Sequence, residues 1–125
     1  AVSVVELFWQ SLGARVVRMD PVEHDEALAT TSHLPHAVAA ALASVTPIQW
    51  LTLTAGGFRD TTRIAAGDPE LWAAIFEANR DAVLSATDRF SASLAAFRTA
   101  VLANDRAAIV RWLADGKRIR DSLGT

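Results

Sequence analysis

Apolar positions along this chain recur mostly at helical spacing, and the punctuation between runs is proline, glycine and short acidic caps. Val5, Leu7, Phe8, Trp9 and Leu12 share one broad face of a helix that begins at the first residues, and Gly13 follows as a residue that tolerates positive φ and ends it. The helix starts abruptly, as if cut from something longer. ARVVRM, 14–19, is β-branched, with apolar residues at alternate and adjacent positions, so it reads as one short extended segment or a strand with no partner in this chain. An isolated strand is marginal, which leaves a second subunit or a missing domain to pair with it.

Asp20-Pro21-Val22-Glu23 predicts a helix start: an acceptor side chain at the N-cap, proline in the first turn and a carboxylate at the third helical position. Helix then continues to Ser44, interrupted only at Pro35, which removes a backbone donor and leaves the Thr31 carbonyl to face water, a ligand or another donor. Pro47 opens a short apolar helix, IQWLTLTA, that Gly56-Gly57 stops, and FRDTTRIA forms the next helix up to Gly67. Asp68-Pro69-Glu70 repeats the cap and starts the longest element. In it Trp72, Phe76, Asn79, Val83, Ala86, Phe90, Leu94, Phe97 and Val101 form one core stripe. Asn79, an amide in an apolar stripe, must bond to a neighbouring helix. Asn104-Asp105 caps a last helix, with Ile109, Trp112, Leu113 and Ile119 on one side.

Composition narrows this to an all-α single domain over residues 1–125: 51% of the 125 residues are apolar, many of them alanine, and 7% are aromatic. A net charge of −2, with no basic block longer than KRIR, excludes a nucleic-acid or anionic-membrane footprint. No cysteine is present, so disulfides and sulfur-based zinc sites are excluded. No leader pattern and no apolar run near the ~20 residues that span a bilayer are seen, so the expected compartment is the cytoplasm.

Two stretches carry candidate chemistry. In TTSHLPHAVAAALA, Ser32 and His36 lie one helical turn apart, with His33 beside them at a proline, which describes either a pocket wall or half-buried helix residues around a bend. In GGFRDTTRIA, Arg59, Asp60 and Arg63 follow two glycines. An arginine fork there suits a small carboxylate or phosphate, and the plainer reading is a solvated, salt-bridged turn. His24-Asp25 invites a metal site, which fails because no histidine precedes position 24; Asp25 sits better in a helix first turn. G-x-G-x-x-G, G-x-x-x-x-G-K and G-x-S-x-G are all absent, so the chain shows no dinucleotide site, phosphate loop or nucleophile elbow of its own.

The order FWQSLGARVVRMDPVEHDEALATTSHLPHAVAAAL, then GGFRDTTRIAAGDPELWAAIFEANRDAV, resembles the C-terminal helical domain of prephenate and arogenate dehydrogenases from about Val5 to about Phe97. The resemblance implies a helical dimerisation domain like that of the 6-phosphogluconate-dehydrogenase-like enzymes, with an N-terminal Rossmann domain outside this chain. That missing domain would bind NAD or NADP and carry the catalytic serine and histidine; no cofactor and no catalytic residue are expected on this chain alone. It implies further that Arg63 holds a substrate carboxylate, that His36 and Ser32 line the pocket, that Asp60 pairs with and orients an arginine, and that Trp9 reaches the neighbouring subunit's pocket. The implied partners are a second copy of the chain, prephenate or arogenate, and tyrosine as an inhibitor. His36 favours prephenate. The alternative reading is a free-standing helical dimerisation or effector-binding module without catalysis.

Overall fold

The computed structural model describes residues 1–124, and among these the secondary structure is helical throughout, with no strand. Helix α1 spans Val2–Ser11 and ends as expected at Gly13, whose φ of 82° only glycine adopts freely; its N–H donates to Gln10 O at 2.9 Å. Residues 14–20 carry neither helix nor strand; at their two ends Ala14 N–H donates to Trp9 O at 3.0 Å and Asp20 O accepts from His24 N at 2.9 Å. A two-point ion pair from the Arg18 guanidinium to Glu6 ties the segment back onto α1 and holds the Glu6 carboxyl below its ordinary pKa.

Asp20 starts α2, Pro21–Leu28, by accepting from Val22 N at 2.9 Å and Glu23 N at 3.0 Å. Beyond it the proline problem is solved differently from the expected break. A π-helical turn, Ala29–His33, widens the helix so that Leu34 N–H donates to Ala29 O, five residues back, and α3 then runs Leu34–Ser44 with Pro35 in its first turn. A missing N–H is tolerated at a helix start, so Pro35 begins α3 rather than interrupting it. Thr31 Oγ1 fills the loosened turn by donating to Ala27 O at 2.7 Å.

Two further boundaries differ from the sequence expectation. IQWLTL forms a 3₁₀ helix, Ile48–Leu53, and Gly56-Gly57 does not stop it; the pair opens helix α4, Gly56–Thr62, which tightens into a 3₁₀ turn at Arg63–Ala66 before Gly67. Thr54 and Ala55 already sit in extended backbone, so the chain has left the helix before the glycines arrive. The expected single long helix is two, α5 at Pro69–Ala78 and α6 at Arg80–Leu102, broken at Asn79 with φ −121° and ψ 35°. The last helix, α7 at Arg106–Asp121, starts where Asn104 takes φ 51° and Asp105 Oδ1 accepts from Ala108 N at 2.9 Å.

The buried centre is built from small residues. Ala29, Ala39, Ala86 and Ala100 are buried, so α2, the π turn and α3 approach α6 closely, and Arg89 on α6 donates to Thr30 Oγ1 at 3.1 Å across the seam. At the other end α7 packs on α6 through Trp112, whose indole N–H donates to Ser93 and whose ring lies 4.8 Å from that of Phe97. Large apolar side chains are left facing outward in the lone chain: Leu7, Phe8 and Trp9 on α1, and Ile48, Trp50 and Leu53 on the first 3₁₀ helix. The stripe on α6 is likewise only partly covered, with Leu94 and Val101 exposed. No helix of the described residues is long and apolar enough to cross a membrane.

Candidate functional site: an aromatic-backed histidine beside the arginine turn

The π turn and the first turn of α3 place two histidines inside the domain rather than on its rim. His33 is 7% exposed and His36 6%, the two buried polar side chains among the described residues. Both meet aromatic rings of α5. His36 stacks on Trp72 with ring centroids 3.6 Å apart and planes 17° from parallel, and Phe76 closes its side at 6.4 Å. His33 meets Trp72 and Phe76 edge-on, at 6.3 and 6.5 Å. His36 Nδ1 is buried with no hydrogen-bond partner. A buried imidazole nitrogen left without a partner costs free energy, so a polar group brought to it from outside the chain would be bound favourably.

The stack exists because position 67 is glycine. A Cβ there would lie 2.8 Å from Trp72 Nε1 and 3.0 Å from His36 Cε1, closer than ordinary contact. Gly67 closes the 3₁₀ turn that carries Arg63, and that turn packs against α3, as does α4 with Asp60. The fold thus gathers the elements bearing Ser32, His36, Asp60 and Arg63 around one end of α3. Ser32 is half-buried in the π turn, whereas Arg63 and Asp60 are exposed. The arginine's fork is therefore free to take a two-point partner such as a carboxylate.

Asp60 does not make the ion pair expected of it: among the described residues the paired carboxylates are Glu6, Asp25, Asp81 and Asp121. Asp60 precedes Arg63 by three positions, and neither Arg63 nor Arg59 forms an ion pair among the described residues. Trp9 is also not brought to this cluster within one chain; α1 makes no extensive packing against these elements, and Trp9 is exposed beside Phe8. Sequence reasoning placed Trp72 in a core stripe and missed its role as the backing of His36. The available signal was Gly67, five residues earlier, a small residue where the turn comes close to an aromatic. Asn79 bonds across to a neighbouring element as expected, donating from Nδ2 to Asp25 O at 2.8 Å.

A Cβ at Gly56 or Gly57 would meet nothing within 4 Å, and among the described residues no cluster of three His, Asp or Glu side chains is placed to hold a metal ion.

The family model for the prephenate dehydrogenase dimerization domain matches residues 20–115. Cyclohexadienyl dehydrogenase of Zymomonas mobilis is 35% identical across 100% of this chain, which spans 45% of that protein. Among solved structures, Synechocystis arogenate dehydrogenase superposes with a TM-score of 0.88 at 27% identity, covering 98% of this chain and 47% of that one. Prephenate dehydrogenase from A. aeolicus, solved with hydroxyphenyl propionate and NAD+, gives 0.85 at 33% identity, covering 98% and 45%. This chain therefore spans less than half the length of these relatives. The match over most of its residues, together with a helical fold shared nearly end to end, means that the chain belongs to the prephenate dehydrogenase dimerization-domain family.

Proposed function

We propose that this chain is the C-terminal part of a cytoplasmic prephenate dehydrogenase, an NAD- or NADP-dependent enzyme that oxidises and decarboxylates prephenate to 4-hydroxyphenylpyruvate. The observation that carries the reading is His36: buried, backed by the Trp72 ring, with an unpartnered Nδ1, beside the turn that bears Arg63. Arg63 binds a substrate carboxylate through its fork, and His36 and Ser32 line the pocket. Asp60, three positions before Arg63, orients it once substrate arrives. The nicotinamide accepts the hydride when bound, and its binding belongs to residues outside this chain. What these side chains contribute is orientation, which supplies several kcal/mol toward a barrier when the reacting atoms are held in line.

The reading includes a homodimer, because α1 and the 3₁₀ helix at Ile48–Leu53 carry more exposed large apolar side chains than a stable monomer ordinarily shows. Trp9, on α1, reaches the pocket of the second subunit. Tyrosine, which shares the hydroxyphenyl ring of the product, inhibits by occupying the same pocket.

The test is NAD(P)+ reduction by the full-length protein with prephenate and with arogenate in parallel. Prephenate is expected to be the better substrate. The reading is wrong if neither compound supports reduction of either nucleotide, and arogenate turnover alone would reassign the substrate while keeping the site.

A further inference from the structure

The amide at the α5–α6 break is wired to the histidine wall. Asn79 Nδ2 carries two hydrogens, and each finds an acceptor on the opposite element: the Asp25 carbonyl at 2.8 Å, near the end of α2, and His33 Nδ1 at 3.4 Å, in the π turn. The carbonyl accepts only, so it settles which end of the amide faces it. Because the same nitrogen donates toward His33, Nδ1 of that ring accepts and the ring proton sits on Nε2. His33 then presents its edge to Trp72 and Phe76, and Trp72 in turn stacks on His36.

We propose that Asn79 and His33 form a positioning clamp that sets the stacked His36–Trp72 pair, and through it the shape of the substrate pocket. The clamp rests on the pocket reading given above. Neither residue touches the substrate in this account. Three features support a placing role over simple core filling. Asn79 leaves helical geometry to reach both acceptors, at φ −121° and ψ 35°. Its two bonds join α2 and the π turn, which carries the buried His33, to the break between α5, which carries Trp72, and α6. The π turn is also the one place where the α2–α3 ladder can slip between five-residue and four-residue bonding, and such a slip would rotate His36 off the indole.

The experiment uses the full-length enzyme with Asn79→Asp, which keeps the outline and removes both donors, and His33→Phe, which keeps an aromatic edge and removes the acceptor. Each is assayed for KM and kcat with prephenate, and the indole N–H resonance of Trp72, assigned by its loss in Trp72→Phe, is followed by NMR. The expected result is a rise in KM of roughly tenfold or more with kcat changed by less than about threefold, since misplacement of a binding group by about an ångström costs up to 10²-fold. The Trp72 resonance is expected to shift in both variants, and His33→Asn, which restores an acceptor near the Nδ1 position, is expected to recover part of the KM. A lowered melting temperature with KM and the Trp72 resonance unchanged would overturn the clamp and leave a merely structural amide. If Asn79→Asp does not fold, His33→Phe carries the comparison, because it leaves the amide in place. His36→Ala serves as the separate control: an unchanged KM there overturns the pocket reading, while the Trp72 resonance still decides the clamp.

Discussion

Replacing Gly67 with alanine probes the His36–Trp72 stack without touching any polar group. The backbone at 67 is ordinary, φ −64° and ψ 161°, so alanine suffers no conformational strain there, and it removes unfolded-state freedom worth about 0.4–1 kcal/mol in favour of folding. Against this stands the new methyl, 2.8 Å from Trp72 Nε1 and 3.0 Å from both Trp72 Cδ1 and His36 Cε1, where ordinary contact begins near 3.4 Å. Neither ring is a loose end: they stack on one another, and Phe76 lies 5.7 Å from Trp72. Relief requires opening the stack by half an ångström or more, and overpacking of this kind costs about 1–3 kcal/mol. The clash outweighs the entropic gain, so the net is a loss of about 1–2 kcal/mol, a fall in melting temperature of roughly 3–10 °C for a domain of this size. Gly57→Ala is the matched control. A Cβ at Gly57 meets nothing within 4 Å, in a helix where alanine is preferred over glycine by up to about 1 kcal/mol, so its sign should be the opposite. Thermal unfolding followed by circular dichroism reads both. A Gly67→Ala protein as stable as the parent, with the Trp72 indole resonance unmoved, would mean that the turn does not approach the stack closely.

Three other outcomes follow from the same structure. Asp20→Ala removes an acceptor that serves two backbone N–H groups at the start of α2 and should cost about 1 kcal/mol in chemical denaturation, with the slope unchanged. Glu6, whose carboxyl is held below its ordinary 4.5 first by the Arg18 hydrogen bond and then by its charge, gives a contribution that is complete above the unfolded value and lost as pH falls through the lower folded value. The Arg18 side-chain resonances should therefore move with acid below about pH 4.5 in the parent and stay fixed in Glu6→Gln. Sedimentation of the full-length protein should give a dimer at micromolar concentration, and a clean monomer would contradict the proposed pairing of exposed apolar faces.

Helix starts were readable in the sequence wherever the signal is local. Asp20-Pro21, Asp68-Pro69 and Asn104-Asp105 each place an acceptor next to a turn, and each caps the helix it was expected to cap. What escaped depends on neighbours distant in sequence. The π turn before Pro35 is favoured by burial of His33 and His36 against α5, and no spacing rule within residues 29–36 reveals it. The break at Asn79 is hidden because the apolar stripe keeps its period across it; only the bond to Asp25, 54 positions away, shows why the helix stops. Gly56-Gly57 reads equally well as a stop or a start, and the extended backbone of Thr54 and Ala55 decides for a start. For the site, SHLPH and the arginine turn were visible as motifs, and their association around α3 needed the fold. Trp72's stacking on His36 was hidden because an aromatic at helical spacing looks the same whether it packs on apolar side chains or on an imidazole.

The proposed function has Arg63 and His36 bind one substrate. Calorimetric titration of the full-length enzyme with prephenate, parent against Arg63→Ala, tests it most directly. Loss of a charge-assisted, two-point contact worth about 1.5–3 kcal/mol predicts binding weakened by roughly 10-fold to 150-fold, with the protein still folded because Arg63 is exposed. An affinity for prephenate equal to that of the parent would mean that Arg63 does not hold the substrate carboxylate.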